Sequence, residues 1–261
     1  MAANTSDAKL KEQLRARFVG KTLHDVPTPS LVLDLPKLEV NCERMLEATE
    51  RLGLLWRAHI KSHKSATPPP PPVSLIVSTL IEAENILALL QDPTLDMQQL
   101  ATHARDQSLM TADDIAISVV AEVASLYPGR GVNGTTEALI NAGTLALGRE
   151  PVTDKGKVPG QDYPGWGFLM PWGLNNPVPG PDFPRVHDGW QVGRISQEHG
   201  VLTWQGKKED EVPLKYGQRV RVWPNHSCIA GAGFDYYLIV DSRNKGREDE
   251  VVDVWPRWRG W

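Results

Sequence analysis

Near Ile115 the sequence changes texture, and that change limits the possible folds more than any other feature. Before it, short apolar runs alternate with segments whose apolar residues recur at helical spacing. Residues 30–35, after Pro27 and Pro29, read as a buried strand. A helix follows at once, with Pro36 in its first turn, Leu38, Cys42, Met45 and Leu52 on one face, and Gly53 placed to end it. Residues 8–19 predict a charged helix ahead of that strand. Further on, 54–61 and 75–78 read as strands and 79–90 as a helix, with Thr79 and Glu82 as a capping box. Strands alternating with amphipathic helices imply a parallel sheet, either a barrel or an open doubly wound sheet. After Ile115 the pattern becomes valine-rich and aromatic-rich strands punctuated by Gly and Pro, expected over 116–123, 190–195, 201–204, 218–223, 236–241 and 251–255. The expected organisation is an α/β domain over 1–110 and an all-β domain over 111–261, with a Pro- and Gly-dense insertion at 151–188.

A chain of 261 residues buries a sizeable core without help from disulfides or metal. Its two cysteines, Cys42 and Cys228, exclude a disulfide framework and fit a reducing compartment, so the cytoplasm is the expected location. A formal charge of −4 gives no electrostatic reason for a nucleic-acid or anionic-membrane partner. No stretch approaches the roughly eighteen apolar residues of a membrane span. A small neutral or zwitterionic substrate remains open. The five prolines Pro68 to Pro72 favour a polyproline II rod; a stiff linker explains them better than a recognition motif, because no second recognition element accompanies them.

Two polar clusters carry candidate chemistry. The first is Arg57-Ala58-His59-Ile60-Lys61-Ser62-His63-Lys64. On a strand, His59 and Lys61 share one face, His63 extends it, and Lys64 falls on the other. A lysine in a polar pocket beside other cationic groups has a lowered pKa and can form a Schiff base. On spacing alone, a solvated basic surface loop explains the cluster better than catalysis does. The second cluster is His226-Ser227-Cys228, just after the interruption at Pro224. If the chain stays extended there, both side chains point the same way, and imidazole nitrogen with thiolate sulfur suits zinc, leaving positions open for water or substrate. The alternative is a buried structural cysteine beside a turn histidine. Ser196-Gln197-Glu198-His199-Gly200 reads first as a hairpin turn and second as a loop facing a site, and the tail from Trp255 to Trp261 reads as packing.

Several stretches, in order, resemble the metal-activated D-serine dehydratases of pyridoxal-phosphate fold type III, close to their fungal members: PTPSLVLDLPKLEVNCERM, RAHIKSHK, IVSTLIEAENI, NAGTLALGRE, RISQEHG and PNHSC. RAHIKSHK is similar to that family's cofactor-lysine motif, with Ala58 and Ser62 in place of its usual Pro and Thr. The resemblance implies an alanine-racemase-like, TIM-type α/β barrel followed by a β-rich domain. It implies pyridoxal 5'-phosphate on Lys61, flanked by Arg57, His59 and His63 as cofactor-binding candidates, and zinc on His226 and Cys228. The implied reaction converts D-serine to pyruvate and ammonia. The resemblance implies as well the homodimer that intact members of the family form. Related D-threonine aldolases carry H-x-D where this chain has H-x-C, so Cys228 favours the dehydratase branch.

The barrel is incomplete. Eight strand–helix units take roughly 200 residues or more, whereas about eighty separate Pro27 from Met110. The missing stretch falls near residues 91–94 and in the family supplies the groups that hold the cofactor phosphate and stack on its ring. Two rival readings stand beside the dehydratase: a D-threonine aldolase-like lyase, and a truncated, non-catalytic homologue whose β domain binds only zinc or a partner.

Overall fold

The computed structural model describes residues 5–51, 114–149, 165–170, 172 and 189–257. Period-two alternation in three of its strands buries both of their faces. In β1 (Ser30–Asp34), Leu31 and Leu33 point into one apolar cluster and Val32 into another. The same alternation divides Val119 and Ala121 from Val120 in β2 (Ile117–Tyr127), and Tyr237 and Ile239 from Leu238 and Val240 in β8 (Tyr236–Val240). Each fully buried Val or Leu contributes about 1.5–3 kcal/mol, so register is tightly specified where both faces are covered.

The remaining strands are β3 (Glu137–Ile140), β4 (Gly167–Leu169), β5 (Trp190–Ile195), β6 (Gly200–Trp204), β7 (Arg219–Pro224) and β9 (Val251–Pro256). The described strands form one sheet in the order β3-β6-β5-β4-β7-β2-β1-β8-β9, and β3 also pairs with β2. That last pairing closes β2, β7, β4, β5, β6 and β3 into a six-stranded antiparallel barrel. β2 makes closure possible because it is long. Residues 117–120 pair with β1, while 123–127 bend away past a register shift to pair with β3. Trp190 and Trp204 meet edge to face inside the barrel, 5.5 Å between ring centroids, and the Trp190 indole N–H donates to the Val212 carbonyl at 2.8 Å.

β1, β8 and β9 extend the sheet as a flange. Helix α1 (Thr5–Phe18) covers its outer face through Leu14 and Phe18. Lys11 and Arg15 pair with Asp253 of β9, and backbone bonds from Gly20 and to Lys21 tie the chain after α1 to Val251. Helix α2 (Leu35–Arg51) follows β1 directly and buries Leu38, Cys42 and Met45, the stripe expected from their spacing. The Asn41 side chain donates to the Asp114 carbonyl at 2.8 Å and Arg44 pairs with the Asp114 carboxylate, fixing the approach to β2.

Every expected strand that falls on described residues is present. One continuous sheet joins both sides of position 110, since β1 lies antiparallel to β2 and parallel to β8. Two strands carried no signal, β3 and β4, and β4 lies inside the Pro- and Gly-dense 151–188 stretch, where it bridges β5 and β7. The expected strands at 54–61 and 75–78, the helix at 79–90 and the proline run lie outside the described residues.

Candidate functional site

β7 ends at Pro224, and the Asn225 side chain donates to the Gly165 carbonyl at 2.8 Å, anchoring the turn that follows. The chain does not stay extended through His226 and Cys228. His226 is the N-cap of a short helix, α4 (Ser227–Ala232), with extended backbone (φ −139°, ψ 105°), and its carbonyl receives the Ala230 N–H at 3.0 Å. Ser227-Cys228-Ile229-Ala230-Gly231-Ala232 lacks the alternation of a strand, and its small residues let the helix lie close on the barrel. Both His226 and Cys228 are half-buried, and Cys228 is in no disulfide. An imidazole and a sulfur at the head of one helix suit zinc chemically. Among the described residues no group of three or more His, Cys, Asp and Glu forms a metal cluster. As a pair, the two side chains could supply two of the four positions that zinc takes.

Helix α3 (Thr144–Leu147) packs against α4. A methyl at Gly148 would sit 2.7 Å from Ile229, and one at Gly233 would sit 2.1 Å from the Leu145 carbonyl, so the two helices meet through glycine. Beyond the end of α4, a cavity of about 420 Å³ opens between Thr28 and Pro29, the segment bearing Asn141, Gly143, Leu145 and Ala146, the turn with Glu198 and His199, and Gly233 and Phe234. Six helical residues rise about 9 Å; the cavity and the His226–Cys228 head lie at opposite ends of α4.

Glu198 and His199 sit in the turn between β5 and β6, closed by the Ser196 N–H donating to the His199 carbonyl at 2.9 Å. The turn is held against α3, with the Thr144 N–H on the Ser196 carbonyl (2.8 Å) and the Leu145 N–H on the Gln197 carbonyl (3.1 Å). The hairpin-turn reading of this segment is correct, and the same turn forms one wall of the cavity. Asn141 braces the opposite wall. Its side-chain Oδ1 accepts the Glu122 N–H at 2.8 Å, and its Nδ2 donates to the Thr28 hydroxyl at 2.8 Å and the Thr28 carbonyl at 3.2 Å. The Thr28 hydroxyl also accepts from Arg219 at 2.6 Å.

Beneath α4 lies a pair that sequence reasoning missed. The Arg257 Nε donates to the Tyr237 hydroxyl at 3.1 Å, both residues buried. Burial pushes the Tyr237 hydroxyl above its ordinary pKa, opposed by Arg257 and reinforced by Cys228. Alternation in Tyr236-Tyr237-Leu238-Ile239-Val240 marks Tyr237 as inward, but nothing in the sequence names its partner. Trp255 packs as expected, with its indole N–H on Asp253 at 3.0 Å. Lys61, Arg57, His59, His63 and Lys64 lie outside the described residues.

Residues 116–240 match the model of a putative serine dehydratase domain. The D-serine dehydratase of Schizosaccharomyces pombe is 36% identical over 171 residues, 65% of this chain and 32% of that protein. The D-serine dehydratase of Saccharomyces cerevisiae is 32% identical over 166 residues, 64% of this chain and 32% of that protein. The chain thus spans about a third of the length of these curated relatives. Among solved structures, D-threo-3-hydroxyaspartate dehydratase from Delftia sp. superposes with a TM-score of 0.59 at 17% identity, covering 92% of this chain and 100% of that one. Its solved forms include a cysteine-to-alanine variant in the metal-free form and a histidine-to-alanine variant, the two substituted positions being two apart. An alanine-racemase-like protein from Idiomarina loihiensis gives 0.54 at 16% identity, covering 92% and 99%. The architecture is that of an incomplete alanine-racemase-like barrel with its β-rich domain, and through residues 116–240 the chain is similar to the putative serine dehydratase domain.

Proposed function

We propose that the chain carries the chemistry of a pyridoxal-phosphate- and zinc-dependent D-serine dehydratase, removing the α-proton and β-hydroxyl of D-serine to yield pyruvate and ammonia. The carrying observation is the His226–Cys228 pair at the head of α4. The same residue types, two positions apart, are those replaced in the solved hydroxyaspartate dehydratase variants, one of them described as metal-free. His226 would supply a nitrogen ligand and Cys228 a sulfur ligand, at a half-buried position that substrate can approach. Lys61 would anchor the cofactor and hold the α-proton, with Arg57, His59 and His63 around it. When bound, pyridoxal phosphate supplies an electron sink for the α-carbon and zinc a Lewis acid for the departing oxygen. A thiolate at position 228 selects zinc over harder ions, which favours a dehydratase over an aldolase. Neither cysteine is in a disulfide, which agrees with the cytoplasm, and among the described residues no helix is long and apolar enough to cross a membrane.

One observation favours a second reading. The described residues close a six-stranded barrel that itself carries His226 and Cys228, so a non-catalytic homologue that binds zinc or a partner through the β domain is the alternative. The visible absorption spectrum of the purified chain with pyridoxal phosphate, before and after D-serine, separates them. A band that Lys61→Ala abolishes and D-serine shifts, with zinc content lost in Cys228→Ala, supports the dehydratase. Zinc retained by the wild type without any Lys61-dependent band supports the non-catalytic homologue. Gel filtration of the same sample reads whether the homodimer of intact relatives forms.

A further inference from the structure

Three observations converge on the underside of α4. First, Tyr237 is fully buried, Arg257 is 8% exposed, and the Arg257 Nε donates to the Tyr237 hydroxyl at 3.1 Å. The Arg257 backbone is itself fixed, its N–H donating to the Asp235 carbonyl at 2.7 Å, while Tyr237 lies in register with Trp255 between β8 and β9. Second, α4 rests on this pair through Gly231: a methyl there would lie 3.3 Å from the Tyr237 hydroxyl and 3.4 Å from the Arg257 Nε. Third, Cys228 precedes Gly231 by three residues, which puts both on the same helix face. The electrostatic influence of Cys228 on the Tyr237 hydroxyl agrees with that placement.

A tyrosine hydroxyl has one hydrogen to give and two lone pairs to receive. Here the Arg257 donor occupies an acceptor position, which leaves the hydroxyl hydrogen to be directed elsewhere. The cysteine sulfur on the same helix face is an acceptor. We infer that Tyr237, polarised and oriented by Arg257, is a positioning residue that donates a hydrogen bond to the Cys228 sulfur and so fixes that sulfur as a metal ligand. The inference deepens the proposed zinc reading and rests on it. Sequence signals for metal sites register only the ligands; the group behind a ligand comes from another strand, about thirty residues along in the case of Arg257.

The test is metal binding by the full chain, read apart from turnover. Zinc affinity is measured by chelator competition, and the cobalt-substituted protein reports the sulfur-to-metal charge-transfer band. Loss of a partner behind a ligand typically weakens metal binding about 10-fold or more. Tyr237→Phe, which keeps the ring in its pocket, is expected to weaken zinc by about that factor. It is also expected to move the cobalt band to longer wavelength, because a sulfur relieved of a hydrogen bond releases electron density more readily. A packing role alone would leave the band in place. Arg257→Lys keeps the charge but lacks the Nε–H, and is expected to shift the band in the same direction by less; it decides the matter if the phenylalanine variant fails to fold. Wild-type affinity and an unmoved band in these variants would overturn the inference while leaving the zinc reading intact. Equal zinc binding by wild type and Cys228→Ala would overturn the zinc reading, and the inference with it.

Discussion

Asn141 joins segments separated by more than a hundred residues, and replacing it gives a sharp measure of how firmly the cavity is built. In Asn141→Ala the backbone bond from Asn141 N–H to the Glu122 carbonyl survives, but three side-chain bonds are lost. Those to Thr28 are worth about 1 kcal/mol each, softened at the hydroxyl because Arg219 still donates to it. The Glu122 N–H is left without its side-chain acceptor, at a cost of about 1–3 kcal/mol. The sum is about 3 kcal/mol, or a fall in Tm of about 6–12 °C for a domain of this size. Urea unfolding should show a lower midpoint at unchanged slope. Asn141→Asp retains the acceptor for Glu122 and loses only the donors, so it should cost about half as much. A loss below about 1 kcal/mol in the alanine variant, or an aspartate variant no better than alanine, would refute this assignment.

Gly143→Ala tests the seat of the β5–β6 turn: its methyl would sit 2.4 Å from the His199 nitrogen and the Ser196 carbonyl oxygen, both backbone atoms that cannot step aside. Thermal unfolding should register a loss of about 2–3 kcal/mol, and a neutral result would mean the turn is not held against α3 as described. Glu211 tests pH dependence. Burial raises its carboxyl, but hydrogen bonds from Lys208 and Thr136 outweigh burial and hold it below the usual carboxylate range. A depressed carboxyl stabilises the fold above the ordinary range, and the contribution disappears as pH falls through the folded-state value. The stability difference between wild type and Glu211→Gln should therefore be present at neutral pH and close in acid; a difference that persists unchanged into acid contradicts the reasoning.

The strands most readily found in the sequence are those whose alternation is clean, because the buried face selects residues two by two. Trp190 to Ile195 and Tyr236 to Val240 show this, and α2 shows its helical counterpart in Leu38, Cys42 and Met45. β3 was not legible because a charged residue occupies a buried place. Glu137 is 4% exposed and is held by Arg194 at 2.7 Å and Arg130 at 3.3 Å, partners that no local pattern supplies. β4 has three residues among prolines and glycines, too few to show a period. Two chelating residues at i and i+2 suit a strand, but the alanines and glycine that follow allow a short helix against α3 instead. His226-Ser227-Cys228 offers two chelating side chains on spacing alone, and the family resemblance adds zinc as the implied metal. The cavity draws on four separate segments, and such long-range closure leaves no trace in a single sequence.

The parallel pairing of β1 with β8 places Val32 opposite Leu238, more than two hundred residues apart in the chain. Contacts of such separation make folding slow, since the entropy of joining distant segments is lost before their packing is gained. During synthesis β1 meets its parallel neighbour β8 only after residues 236–240 have emerged, later than every strand of the six-stranded barrel. The entropy of closure grows only with the logarithm of length: doubling a flexible connection costs about 0.6 kcal/mol more, less than burying one valine. The register at Val32 is therefore held by the packing of both faces of β1, not by the length of chain between β1 and β8.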